Sequence, residues 1–182
     1  MNIEFCEEKY KITNYIAEYY NTTSNIYYLL PLLTPGANRN VAKASAIVGI
    51  GSAIFHATNT YYGELIDETA IIYLLSIISY YTVPLKYIFI IFINAIHILY
   101  VFTNIFAIYD FLVIMTVMVI FTSSYFRQIN IRNSVICMIL GKMCWLIEQS
   151  GDKLISCDSV AEFHPIWHLL SAFAITDLST RI

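Results

Sequence analysis

Between Tyr87 and Tyr125 the chain carries no lysine, arginine or glutamate, and Asp110 is the one acidic residue of that stretch. The run is about twice the ~20 residues that cross the hydrocarbon layer of a bilayer. A bilayer offers no partner to free backbone N–H and C=O groups, so apolar stretches long enough to span it must close their hydrogen bonds internally, as helices. The run therefore divides into two spans, near Thr103 and Asn104. The rest of the chain repeats the pattern with shorter interruptions. The expected spans are Tyr15 to Leu33, Ala42 to Thr58, Leu65 to Val83, Tyr87 to Thr103, Ile105 to Tyr125, Ser134 to Gln149 and His164 to Leu178. Pro35, Gly36 and Asn38 mark the clearest turn. The reading is an all-α integral membrane bundle of seven transmembrane helices. It forms one domain over 1–182, with a polar segment over 1–14 and the bundle over 15–178.

Composition agrees with a multi-pass membrane protein. Hydrophobic residues make up 58% of the chain and charged ones 13%, against roughly 25% charged in soluble domains. The ten Lys and Arg are scattered singly and the net charge is -3, so there is no basic stripe and nucleic-acid binding is excluded as a reading. Glu4, Glu7, Glu8, Lys9 and Lys11 precede any sustained apolar run, the wrong order for a cleaved signal peptide. Cys6, Cys137, Cys144 and Cys157 show no CxxC spacing. The sequon at Asn21 lies inside an apolar segment and is expected to be unmodified. Arg39, Lys43, Lys86, Arg127, Arg132 and Arg181 fall on the side opposite the N-terminus, which favours an N-terminus facing away from the cytosol.

Ionisable groups at membrane depth are costly and mark sites of function. His56 lies toward the end of the second span, and His164 and His168 open the last. The four-residue spacing puts the last two on one helix face, where two imidazoles can grip one metal ion. In an up-and-down bundle the end of an even span and the start of an odd one share a membrane face, so His56, Asp67, His164 and His168 can meet there, with Glu18 on the same side. Three imidazoles around zinc with a fourth position open to water make a catalytic geometry. Asp67 or Glu68 can then orient or deprotonate the water, and Ser52, one turn before His56, can hydrogen-bond it or a substrate carbonyl. Plainer readings stand beside these: an HxxxH pair can serve interhelical hydrogen bonds, and Ser52 can simply let helices approach closely. His97 reads as a packed or hydrogen-bonded core residue, Trp145 and Trp167 as packing or interfacial residues, and Asp110, Lys142 and Glu148 as a structural ion-pair group.

Several segments taken together resemble the alkaline ceramidase family. They are Phe5-Cys6-Glu7-Glu8, then Tyr15-Ile16-Ala17-Glu18 through Asn25, Gly49-Ile50-Gly51-Ser52 through His56, Leu65-Ile66-Asp67-Glu68, Cys144-Trp145, and Phe163 through His168. They occur in the family's order from about residue 5 to 173. The resemblance implies a seven-helix zinc-dependent membrane hydrolase, with His56, His164 and His168 holding zinc. Ser52 and Asp67 would act as ceramide is cleaved to sphingosine and a fatty acid. It implies a disulfide between Cys6 and Cys157, although Cys157 falls farther beyond Trp145 than the family pattern has it, and Glu148 stands where an Asp is usual. It also suggests an endoplasmic reticulum or Golgi membrane.

The resemblance further implies a calcium site near the N-terminus, at the positions of Glu4, Phe5, Glu7, Lys9 and Glu18. Lys9 has no side-chain oxygen, whereas calcium takes six to eight oxygen ligands. Glu4, Phe5, Glu7 and Glu18 are left as the candidate ligands, and calcium binding is expected to be weak or absent. The Lys9 ammonium can reach Glu7 and Glu18 in place of the ion or swing out to water. Two other functions share the zinc pattern. One is hydrolysis of a different lipid or lipid anchor, and the other is a non-catalytic seven-helix lipid receptor.

Overall fold

The computed structural model describes residues 5–149, 157 and 163–182. Regular structure among them is entirely helical. A first helical run covers residues 19–33 in three pieces: α1 (Tyr19–Ser24), a tight 3-10 turn (Asn25–Leu29) and α2 (Leu30–Leu33). Long helices follow: α3 (Arg39–Thr58), α4 (Tyr61–Thr82), α5 (Lys86–Thr103), α6 (Phe106–Phe126), α7 (Arg132–Gln149) and α8 (Phe163–Ser179). Of these, α3, α4, α5 and α6 are long and apolar enough to cross a membrane.

Capping explains why helices begin earlier than apolarity alone suggests. Asn38 accepts hydrogen bonds from the backbone of Asn40 and Val41, at 3.0 and 3.3 Å, and starts α3 ahead of Ala42. Thr60 accepts from Gly63 N at 3.1 Å and starts α4 ahead of Leu65. Such side-chain acceptors satisfy N–H groups that the first turn leaves unpaired. Asn59 and Asn104, with φ of 46° and 51°, end α3 and α5 in left-handed conformation, a geometry that asparagine tolerates better than most residues. The long apolar run thus breaks at Asn104.

The first run departs from the expected start at Tyr15. Residues 15–18 are not helical, and Tyr15 is 92% exposed. The N–H groups of Ala17 and Glu18 donate instead to the carbonyls of Ala57 and His56, at 2.9 and 3.0 Å. They satisfy carbonyls that the C-terminal turn of α3 leaves open. The extended segment is thereby tied to the end of the helix that carries His56.

α3 packs against α4 and α7 against α8, while α6 rests on α5 and α4. α8 also lies along the first helical run and α3. At the end opposite the N-terminus, Asn38 N donates to Ser179 O at 2.9 Å, and Ser134 donates to Asp177 at 2.6 Å. At the near end Cys6 and Cys157 form a disulfide with Cα atoms 5.1 Å apart. Cys137 and Cys144 are free thiols. Gly141 allows α7 its close approach to α8: a Cβ there would stand 2.8 Å from the Trp167 ring.

Candidate metal centre

His56 comes from the last turns of α3, and His164 and His168 from the first turns of α8. All three are buried, and their ligand atoms lie within 4.8 Å of one another. Nε2 of His164 is 3.2 Å from Nε2 of His56. The outward nitrogens of two rings are engaged: His56 Nδ1 lies 2.6 Å from Glu18 Oε2, and His168 Nδ1 lies 2.7 Å from Ser24 Oγ. A carboxylate on Nδ1 holds the proton there and turns the Nε2 lone pair inward.

These donors fit a divalent cation. Nitrogens bound tetrahedrally at 2.0–2.1 Å stand about 3.3 Å from one another, close to the 3.2 Å between His56 and His164. The triad can hold a metal. Glu18 and Ser24 lie on the first helical run, far from the histidines in sequence. No local spacing signals that they orient these rings.

Asp67 and Ser52 line the same cavity as the histidines. The Ser52 hydroxyl interacts with the Asp67 carboxylate, while Asp67 Oδ1 is shielded from solvent and has no partner among the described residues. Glu68 lines the cavity too, and its Oε2 accepts a 2.6 Å hydrogen bond from the Tyr100 hydroxyl. Its Oε1, like Asp67 Oδ1, is shielded from solvent and has no partner among the described residues. The cavity has a volume of about 170 Å³ and extends from the histidines along apolar side chains such as Leu74, Ile78, Val117 and Ile120.

The N-terminal segment covers the cluster. The Phe5 ring lies 4.2 Å from that of His164 and 5.0 Å from that of His56, centroid to centroid. Glu7 accepts from Tyr20 N and Asn21 N at 2.7 and 2.8 Å, capping α1 from thirteen residues upstream. Burial pushes its carboxyl above the ordinary value, and those two backbone donors hold the shift back. Glu18 also accepts from Asn21 Nδ2 at 3.1 Å, and Asn21 is fully buried. Lys9 is exposed. Glu4 lies outside the described residues.

The remaining polar residues divide differently from the expected ion-pair group. Lys142 pairs with Asp110 at 3.1 Å, but Glu148 is not part of that pair: its Oε1 accepts from Cys6 N at 3.3 Å. The end of α7 and the N-terminal segment meet there, and the carboxylate satisfies a backbone donor that a shorter side chain would leave farther off. His97 lies within 3.1 Å of Thr69 Oγ1 in a helix–helix contact.

The chain is similar in sequence to several known proteins. Mouse alkaline ceramidase 3 is 34% identical over 88 residues, covering 43% of this chain and 33% of its own length. The yeast alkaline ceramidase YPC1 is 35% identical over 85 residues, 41% of this chain and 27% of its own. The alkaline ceramidase of Drosophila melanogaster is 36% identical over 84 residues, 39% and 29% respectively. The matches thus span about a third of the length of these curated relatives. The profile of the Ceramidase family matches residues 1–180. That match takes in the histidine cluster, the two residues beside it and the segment that covers it, and by it the chain belongs to the ceramidase family.

Proposed function

We propose that this chain is a zinc-dependent intramembrane amide hydrolase that cleaves ceramide to sphingosine and a free fatty acid, its residues 1–182 forming one domain that crosses the membrane seven times. The observation that carries the reading is the convergence of three buried imidazoles at the wall of an apolar cavity that Asp67 and Ser52 also line. A lipid amide needs such a place, because its chains require an apolar cavity and its carbonyl a strong electrophilic assist. The relatives are alkaline ceramidases, which supports the same substrate class.

His56, His164 and His168 would hold the ion, which when bound supplies Lewis acidity that polarises a carbonyl and lowers the pKa of water. Asp67 takes the proton of the attacking water and hands it to the leaving nitrogen. Ser52 donates toward the carbonyl oxygen as negative charge develops there. Phe5 covers the cluster and limits the entry of bulk water.

Metal analysis and ceramide turnover on the purified protein test the reading together. One zinc per chain is expected, with turnover of ceramide. Asp67→Asn should keep the zinc and lose about 10²–10⁴-fold in activity, the range of general acid–base catalysis. A zinc-free active enzyme, or full activity in that variant, would reject the assignments.

Calcium belongs to the same proposal as a negative. Glu7 and Glu18 already accept hydrogen bonds from α1 and His56, and Lys9 offers no oxygen, which supports weak calcium binding or none. Activity after chelation and zinc replenishment should change little as calcium is titrated back. A steep calcium requirement in the wild type, not sharpened by Lys9→Asn, would refute this.

A further inference from the structure

The ion pair between Lys142 and Asp110, 3.1 Å from Nζ to Oδ1, lies in the wall of the cavity that the histidines line. The hydrolysis described above gives it no task. A purely structural ion pair in a membrane protein belongs in a sealed helix–helix seam, since charge facing an apolar space is costly. This pair is not sealed: Lys142 and Asp110 remain 32% and 37% exposed. Its two helices have their main packing elsewhere, α7 on α8 and α6 on α5 and α4. The Trp145 ring lies 3.7 Å from the ammonium and holds it at the wall by cation–π attraction. Gly141, next to Lys142, receives the ring of Trp167, the residue before His168. The pair therefore stands one helix contact from the metal-holding helix.

Amide hydrolysis changes the charge content of such a cavity. Water oxygen bonds to the acyl carbon, the C–N bond breaks, and the proton of the resulting acid passes to the amine. One neutral lipid becomes a carboxylate and an ammonium. Each is expensive in an apolar space unless it is paired. A resident ion pair solves this by exchanging partners: the cavity starts with one pair and ends with two, and no charge is left alone.

We propose that Lys142 and Asp110 are product-binding residues, Lys142 receiving the fatty-acid carboxylate and Asp110 the ammonium of the long-chain base. The neutral substrate leaves the pair closed, and the charged products open it. The proposal rests on the amide-hydrolase reading, so its test reads binding as well as turnover.

Equilibrium binding of a radiolabelled C16 fatty acid, the C16 alcohol and sphingosine is measured on the purified, zinc-loaded full chain in detergent micelles, alongside ceramide turnover. The wild type should bind the acid about tenfold more tightly than the alcohol, the scale of one charge-assisted hydrogen bond. Lys142→Met should remove that preference and spare sphingosine, while Asp110→Asn should weaken sphingosine about tenfold and spare the acid. Lys142→Arg, which keeps the charge, should retain the preference for the acid and covers the case in which Lys142→Met does not fold. A wild type that binds acid and alcohol equally would overturn the proposal. So would variants that lower binding of all three ligands alike, the mark of a merely structural pair. An active enzyme with either result refutes the role of the pair alone. A protein that shows the charge-selective binding without hydrolysing ceramide refutes the amidase reading and, with it, the role of the two groups in product release.

Discussion

Glu18 joins two parts of the molecule through one carboxylate. Its Oε2 meets His56 Nδ1 at 2.6 Å and accepts from Asn21 Nδ2 at 3.1 Å, so it orients a ring of the candidate metal centre while holding the first helical run against α3. Outer partners of this kind fix the tautomer and the angle of a ligating histidine, and removing them commonly weakens metal binding 10- to 100-fold. Glu18→Gln keeps the shape but not the charge. It should weaken zinc binding by about 10- to 100-fold, read by competition with a chelator of known affinity, while the helical circular dichroism signal is unchanged. An unaltered zinc affinity would leave Glu18 as a packing residue only. Ser24 beside His168 is the weaker counterpart, because a neutral hydroxyl does not favour one protonation state of the ring as a carboxylate does.

Among the elements, α7 and α8 depend on a missing side chain. The Cβ of an alanine at Gly141 would lie 2.8 Å from Cε3 of Trp167, closer than packed atoms tolerate, and a tight 3.3 Å from Cβ of Leu170. In the sequence of α8 the indole stands between His164 and His168, the two candidate ligands of that helix. Overpacking of this sort costs about 1–3 kcal/mol. Gly141→Ala should lower the thermal midpoint in detergent and reduce zinc retention together, because moving Trp167 displaces the turn that carries His164 and His168. A variant with unchanged midpoint and zinc content would show that α7 shifts freely along α8. At the other end of the fold, α1 depends on a side chain borrowed from a distance. Its first-turn N–H groups are satisfied by Glu7 rather than by the residue at its own start, Glu18, whose side chain is turned to His56.

For the whole molecule, the disulfide between Cys6 and Cys157 closes a loop of 151 residues. It fastens the segment that carries Phe5 and Glu7 to the end of the chain that leads into α8. Cross-links over long loops restrict the unfolded chain, and their loss costs about 2–5 kcal/mol. Reduction, or Cys6→Ser, should therefore lower the thermal midpoint and expose the histidine cluster, seen as faster zinc loss to a chelator. Equal chelation rates in oxidised and reduced protein would show that the N-terminal cover does not depend on the bond.

The helical class was legible without any tertiary information, because apolar runs of bilayer length cannot leave backbone groups unpaired in lipid. Local chemistry also decided much: Asn38 and Thr60 as caps, the end of α5 at Asn104, and the shared face of His164 and His168 that follows from four-residue spacing on a helix. Other features were decided only by packing. The sequence offered Tyr15 as the start of the first span, but residues 17 and 18 gave their N–H groups to the end of α3. It grouped Glu148 with Lys142 and Asp110, whereas Glu148 turned to Cys6. It placed Glu18 on the correct face, but not against His56, and carried no sign of Ser24 against His168. The division has a physical cause. Helix formation, capping and same-face spacing depend on neighbours within about a turn, so they are written in short stretches of residues. Which carboxylate meets which imidazole, and which cation faces the cavity, depends on groups brought together from distant helices by the packing of the bundle as a whole.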